Sequence, residues 1–128
     1  MTEQGWKWVT IEVVLAIHDR QLAEHGGGPG TRDRGLVESA LAGPQQLAAY
    51  GNPDGAALAA AYAIGLVKNH GFVDGNKRTA WVVCRLVLAL NGGDLLFDKV
   101  EAVKVVEKAA AGEMDEAEFA EWLRVRIQ

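Results

Sequence analysis

The chain has 128 residues, of which 49% are apolar, and a formal net charge of −4. That length is typical of one domain, so we expect a single domain over residues 1–128 with an ordered hydrophobic core. The negative charge argues against a protein that coats nucleic acid, and a single cysteine, Cys84, excludes an internal disulfide and a multi-cysteine zinc site.

Helices separated by short turns account for the first half of the chain. Apolar residues at helical spacing predict a first helix from Ile11 to Glu24, capped by Thr10 and ended by HGGGPG. Asp33 is the predicted cap of a short helix from Arg34 to Leu41. The dipeptide Gly43-Pro44 should end that helix, and PQQLAAYG adds another turn or two.

Two strongly apolar helices follow the turn GNPDG, from about Gly55 to His70 and from Asn76 to Leu90. Apolar residues cover nearly every side of both, so we expect other protein to surround them as the central hairpin of an all-α domain. Cys84, in the second, is predicted to be a buried structural thiol. The longest apolar run, AALAAAYAIGLV, is shorter than the ~20 residues that span a bilayer. With no secretory signal at the N-terminus, we expect a cytoplasmic protein without membrane contact.

The last two helices, predicted from Lys99 to Ala111 and from Glu116 to Arg126, each begin with a capping box. The segment DLLF, residues 94–97, is interpreted as extended but has no obvious pairing strand, so little or no β structure is expected. The two capping boxes are Asp98 with Glu101 and Asp115 with Glu118.

A polar segment, NHGFVDGNKRTAW (residues 69–81), joins the two apolar helices. The helix that starts near Asn76 offers free backbone N–H groups and the positive end of its dipole, which together bind phosphate. Gly75 lets the backbone approach a ligand closely. Lys77 and Arg78 add positive charge where the helix dipole favours acids, and an anion bound at this end would explain the mismatch.

His70 and Asp74 supply the other parts of a phosphoryl- or nucleotidyl-transfer site. One carboxylate with phosphate oxygens and water is a common way to hold Mg²⁺, and histidine can take a proton from an attacking hydroxyl near neutral pH. Each residue has an ordinary explanation alone: His70 as a helix C-cap, Asp74 as a turn residue, the cations as a solvated face. Their combination in one short segment favours a base, a metal anchor and an anion cradle.

Residues 70–80, HGFVDGNKRTA, resemble the signature of the Fic/Doc family, H-x-F-x-[D/E]-[A/G]-N-[G/K]-R. The form with lysine after the asparagine, here Lys77, is that of the Doc (death-on-curing) toxins. Residues 15–41 also resemble the N-terminal part of Doc toxins, and chain length and helix order agree, so the resemblance covers nearly the whole chain. It implies a compact helical bundle of the Fic/Doc type whose central hairpin carries the motif.

The resemblance implies a toxin kinase that uses ATP and Mg²⁺, transfers the γ-phosphate to a threonine of elongation factor Tu and halts translation. His70 would then be the general base, Asp74 the Mg²⁺ ligand and Phe72 a buried anchor. Lys68 is either a further phosphate contact or an exposed helix end. The implied catalytic residues are His70, Asp74, Lys77 and Arg78, and the implied ATP-binding residues are Lys68, Gly75, Asn76, Lys77 and Arg78.

AMP transfer by the same fold is the main alternative. Family members that transfer AMP have glycine after the asparagine and a second arginine at the end of the pattern, whereas this chain has Lys77 and Trp81 there. Two further alternatives are a non-catalytic nucleotide- or partner-binding module and, more distantly, a metal-dependent nuclease, for which one histidine and one acid are few ligands. Gly71 stands where many Fic proteins have proline, which implies a looser turn.

Doc toxins are paired with a small Phd-like antitoxin whose C-terminal segment folds onto the toxin, so the resemblance implies such a partner. Trp6, Trp8 and the first helix are candidates for the wall of the receiving groove, with packing of both tryptophans onto that helix as the alternative. Ala49–Gly55 lies where Fic folds place a flap that docks the target, unless it is only a turn. His18 is interpreted as a core or interface histidine rather than a catalytic one.

Overall fold

The computed structural model describes residues 5–31 and 33–128 and contains six α helices. Within these residues there is no β strand, only two isolated bridges, so the predicted all-α class is confirmed. The helices are α1 (Ile11–His25), α2 (Arg34–Tyr50), α3 (Gly55–Asn69), α4 (Asn76–Leu90), α5 (Lys99–Ala110) and α6 (Glu116–Arg124).

Helix α3 is the centre of the fold. It packs against α2, α4, α5 and α6, and ten of its 15 residues are buried. Its many alanines let the neighbouring helices approach closely, and buried side chains from all six helices join the core around it. The prediction that α3 is surrounded by protein is confirmed.

Helix α4 was predicted to be apolar on all sides, and this is wrong for its outer face. Its inner face, which includes Val83, Cys84 and Val87, is buried against the core. Arg85, by contrast, is exposed, as are the two cations of the first turn. Cys84 is fully buried, as expected, and burial raises the pKa of its thiol to about 12.

Helix α2 continues through Pro44 to Tyr50, so the predicted end at Gly43-Pro44 is wrong. Proline inside a helix costs about 3 kcal/mol because it removes one backbone hydrogen bond and crowds the preceding turn. Tertiary packing offsets this cost: Pro44 is fully buried, and a Cβ added at Gly65 of α3 would lie only 3.0 Å from the Ala40 carbonyl oxygen. The backbones of α2 and α3 are therefore in close contact at this turn.

The segment DLLF does have a pairing partner, the C-terminus of the chain. Leu95 forms an antiparallel bridge with Ile127, and the Leu96 N–H donates to the Arg126 carbonyl oxygen at 3.0 Å. This pairing gives the last residues an extended path, and α6 accordingly ends at Arg124 rather than Arg126.

Five of the six helices begin with a side-chain cap. Both predicted capping boxes contain the acidic cap, but only the pair Asp115–Glu118 is complete. Glu101 instead accepts a hydrogen bond from Arg126 at 2.7 Å. The capping residues are Thr10, Asp33, Asp54, Asp98 and Asp115.

None of the helices in the described part of the chain is both long and apolar enough to cross a membrane.

Candidate functional site

The turn between α3 and α4 begins at His70, which caps the end of α3. His70 has φ 50° and ψ 49°, the left-handed conformation, and is the one non-glycine residue with positive φ among those described. Non-glycine residues in this region carry backbone strain, which is common at functional sites. The conformation ends α3 abruptly and leaves the His70 side chain exposed.

Asn76 closes the turn through two side-chain hydrogen bonds to one residue. Its Oδ1 accepts from the Phe72 N–H at 3.1 Å, and its Nδ2 donates to the Phe72 carbonyl oxygen at 3.1 Å. Phe72 itself is buried, as the resemblance implied. Both ends of the Asn76 amide are therefore used to hold the turn. Its contribution to a phosphate site is to fix the shape of that turn.

Backbone conformation and close packing explain the two glycines of this turn, and neither could be read from the sequence. Gly75, the N-cap of α4, has φ 80°, so conformation requires glycine there, whereas an added Cβ would meet the His18 ring only at 3.6 Å. Gly71 is buried, and a Cβ there would lie 2.5 Å from Cγ2 of Val37. Close packing onto α2, rather than looseness, explains glycine at position 71.

Asp74 presents an exposed, ionised carboxylate. Its Oδ1 accepts from the Gly75 N–H at 2.7 Å, and its Oδ2 accepts from the Gly28 N–H at 3.4 Å. These bonds, followed by the nearby charge of Arg78, hold the pKa of the Asp74 carboxyl below its usual value. The carboxylate is thus charged at neutral pH and accessible from solvent.

The start of α4 has the properties of an anion site. No side chain caps this helix, and the first backbone N–H that reaches an intrahelical acceptor in the turn is that of Thr79, which donates to Gly75. Lys77 and Arg78 are exposed in the first turn, which has no acid. Free N–H groups, the helix dipole and two cations together attract phosphate.

The loop after α1 forms part of the site, although HGGGPG was interpreted only as a helix stop. The Val73 N–H donates to the Gly30 carbonyl oxygen at 3.3 Å, and Thr31 forms an antiparallel bridge with Phe72. The Arg78 guanidinium donates to the Gly26 carbonyl oxygen at 3.1 Å. The run of glycines was the sequence signal for this contact, because glycine lets one backbone approach another closely.

Ala49–Gly55 occupies the wrong end of the fold for a flap beside the motif. It comprises the end of α2, the connection at residues 51–54 and the first residue of α3, whereas the motif follows the last turn of α3, roughly 22 Å away at the usual helical rise. Tyr50 is 91% exposed there, and Asp54 caps α3 while pairing with Arg124 at 2.7 Å. The interpretation as a plain turn fits the structure.

Lys68 points to a different neighbour from the other predicted residues. It is exposed in the last turn of α3, and its charge acts on Glu116 at the start of α6, where it opposes the rise in pKa that burial and Asp115 produce. Lys77 and Arg78, by contrast, line a cavity of about 560 Å³ between α1, α4 and α5.

This cavity, which we call the α1–α4–α5 groove, has an apolar wall and a cationic rim. Trp81 packs edge-on against Phe97 with ring centroids 5.2 Å apart, and the Arg85 guanidinium lies over the Phe97 ring at 5.0 Å. Trp6 and Trp8, proposed for such a groove, instead lie partly buried against the core. The lining residues are Gln21, His25, Lys77, Arg78, Trp81, Val82, Arg85, Phe97, Lys99, Ala102, Val103, Val106 and Glu107.

Asp74 offers a metal ion a single exposed carboxylate. Among the residues that the structure describes, no three His, Cys, Asp or Glu side chains come together as a ligand set. A closed zinc or calcium cage is therefore not built here, whereas Mg²⁺ carried by phosphate oxygens and water needs only one exposed carboxylate.

Comparison with known proteins agrees with the motif. The profile of the Fic/DOC family matches residues 8–88. The chain belongs to the Fic/Doc family. It is 33% identical over 117 residues to the protein kinase doc of Escherichia phage P1, covering 91% of this chain and 92% of that protein. It is 39% identical over 95 residues to the toxin Doc of Mycolicibacterium smegmatis, covering 70% of this chain and 72% of that protein.

In this Fic/Doc chain the signature residues fall into two groups. Phe72 is buried, and Asn76 faces the turn that it closes. The side chains that could bind phosphate or metal, or transfer a proton, are exposed on the outer side of the same turn. These are His70, Asp74, Lys77 and Arg78.

Proposed function

We propose that this chain is the toxin of a toxin–antitoxin pair and transfers the γ-phosphate of ATP to a hydroxyl of a translation factor, by resemblance a threonine of elongation factor Tu. The start of α4 carries the proposal, because an uncapped helix end with Lys77 and Arg78 lies directly after an ionised Asp74. The name of the phage P1 relative, a protein kinase, also supports phosphate transfer.

His70 has the exposed position that a general base needs, at the end of α3. Its ring takes the proton of the target hydroxyl as that oxygen bonds to the γ-phosphorus, and the bond from that phosphorus to the β–γ bridging oxygen breaks, releasing ADP. The α4 N–H groups, Lys77 and Arg78 bind the phosphate oxygens and offset the negative charge spread over them. Mg²⁺, when held by Asp74, supplies further neutralisation of the phosphates.

Two residues favour phosphate transfer over AMP transfer. Lys77 places a charged side chain in the first turn of α4, where AMP-transferring relatives have glycine. Trp81 is packed against Phe97 and Trp122, with ring centroids 5.2 and 6.1 Å away, where those relatives have a second arginine. The cation that would hold a triphosphate in the AMP-transfer orientation is therefore replaced by a packed aromatic ring.

Labelled ATP tests the reaction. With purified elongation factor Tu, we expect label from the γ-phosphate and not from the α-phosphate to enter the factor, and His70→Ala to abolish transfer. Lys77→Gly should abolish phosphate transfer too. Transfer of α-label by the wild-type chain would establish AMP transfer instead, and transfer of neither label to any target would favour a binding module.

We also propose that the α1–α4–α5 groove receives the antitoxin. A disordered tail gains affinity by folding as a helix whose apolar face fills such a groove. Cations on the rim, Lys77, Arg78 and Lys99 among them, favour an acidic tail. Because Lys77 and Arg78 belong to both the groove and the phosphate site, an occupied groove would interfere with ATP binding.

Tryptophan fluorescence locates the bound tail. Titration with an antitoxin tail peptide should change the emission of Trp81, so Trp81→Phe should remove most of the change. The matched variant with Trp6→Phe and Trp8→Phe should keep both the signal and the affinity. Loss of the signal in the second variant alone would place the tail near the N-terminus of α1 instead.

A further inference from the structure

His18 links α1 to the motif from inside the protein. It is 2% exposed, and its Nε2 lies 2.7 Å from the Asp74 carbonyl oxygen. Its ring stacks on that of Phe72 with centroids 3.8 Å apart and planes 8° from parallel. Because a carbonyl oxygen can only accept a hydrogen bond, Nε2 carries the proton in this contact.

The hydrogen bond acts on the peptide plane between Asp74 and Gly75. In a planar trans peptide the carbonyl and the N–H point in opposite directions, so fixing one fixes the other. The Gly75 N–H of this plane donates to Asp74 Oδ1 at 2.7 Å. By holding the carbonyl inward, His18 directs the N–H toward the carboxylate that faces solvent.

We propose that His18 is a positioning residue for phosphate transfer, which orients Asp74 through the Asp74–Gly75 peptide and Phe72 through the stacked ring. It is buried and does not touch the substrates. The inference rests on the proposed function, in which Asp74 holds Mg²⁺. Residues that orient metal ligands from outside commonly change activity by about 10–100-fold when they are replaced.

Two substitutions separate the hydrogen bond from the packing. His18→Phe keeps a flat ring against Phe72 and removes the N–H. His18→Gln loses the stack but can place an amide N–H near the position of Nε2. Val14→Ala is the matched control, because Val14 is the other buried residue of α1, one turn before His18, and its truncation destabilises the core away from the motif.

Each variant is measured in two ways. The first is steady-state transfer of γ-phosphate to elongation factor Tu, which gives kcat per folded molecule and KM for ATP. The second is amide hydrogen exchange of Phe72, Val73 and Gly75 by NMR without nucleotide, relative to core amides of α3, which reports the order of the turn whatever reaction the protein catalyses.

We expect His18→Phe to lower kcat by about 10–100-fold with a smaller change in KM, and to speed exchange of the three amides selectively. His18→Gln should restore most of both properties. Val14→Ala should lower the Tm and leave both unchanged.

Wild-type kcat and exchange in His18→Phe would overturn the proposal, as would equal effects in Val14→Ala. If His18→Phe does not fold, His18→Gln decides alone: a purely packing role predicts that it loses activity and order, whereas positioning by the hydrogen bond predicts that it keeps them. If the wild-type chain transfers no phosphate, the proposed function fails, and amide exchange still decides whether His18 orders the turn.

Discussion

Replacing Gly27 by alanine should impair phosphate transfer by displacing the Asp74 carboxylate, in addition to destabilising the fold. Gly27 has φ +126°, and an added Cβ would lie 2.8 Å from Oδ2 of Asp74, where an ordinary contact begins at 3.4 Å. The carboxylate must therefore move by about 0.6 Å, the difference between the two distances. The 3.4 Å hydrogen bond from the Gly28 N–H to the same oxygen is already long and would break.

The two effects have different physical causes. A side chain in such a backbone conformation costs about 1–3 kcal/mol of stability. An error of about 1 Å in an active site can cost about 100-fold in rate, so a shift of about 0.6 Å should lower transfer roughly tenfold. The Mg²⁺ concentration for half-maximal transfer should rise because Asp74, the proposed Mg²⁺ ligand, is displaced.

Gly92→Ala is the matched control, since Gly92 follows the end of α4 that lies away from the motif, has φ +85°, and an added Cβ there meets no atom within 4 Å. Urea denaturation should show similar stability losses for both variants, while transfer of γ-phosphate per folded molecule should fall only in Gly27→Ala. Wild-type transfer by folded Gly27→Ala, or equal losses in the two variants, would refute the reasoning.

Three further predictions concern the cap of α3, an ion pair and the thiol. His70→Gly should be more stable than His70→Ala by roughly 1 kcal/mol in urea denaturation, because glycine adopts φ 50° freely; equal stability would mean that the cap conformation is not kept. The hydrogen bond from Arg124 lowers the pKa of Asp54 from its ordinary value of 3.8. Arg124→Ala should therefore lower the free energy of unfolding at neutral pH by under about 1 kcal/mol, because the pair is half-exposed, and this loss should vanish as pH falls below 3.8. A loss of stability that persists at about pH 2 would contradict this. Burial raises the pKa of Cys84 to about 12, so a thiol reagent should modify the native protein only as fast as it opens, and rapid labelling in native buffer would contradict the buried position.

Local signals in the sequence were enough for the starts of the helices and for the motif. Caps and helical periodicity act within a few residues, so the start of every helix was predicted correctly. The candidate site was also predicted from local sequence. Its residues, His70, Asp74, Lys77 and Arg78, all lie between the end of α3 and the first turn of α4.

Long-range contacts decided the features that the sequence predicted wrongly. Pro44 remains helical because α2 packs closely on Gly65 of α3, and DLLF is paired because the C-terminus returns alongside it. Neither partner is near in sequence. A local preference of about 3 kcal/mol, as for proline, is small enough for burial to override.

The supporting structure of the site was likewise decided only by the tertiary fold. The Asp74 carboxylate accepts from Gly28, and its carbonyl accepts from His18, which is 56 residues away. Periodicity places His18 on the buried face of α1 but contains no information about which backbone group its ring meets. That contact depends on how α1 packs against α4, and packing of side chains from distant segments is what sequence patterns do not specify.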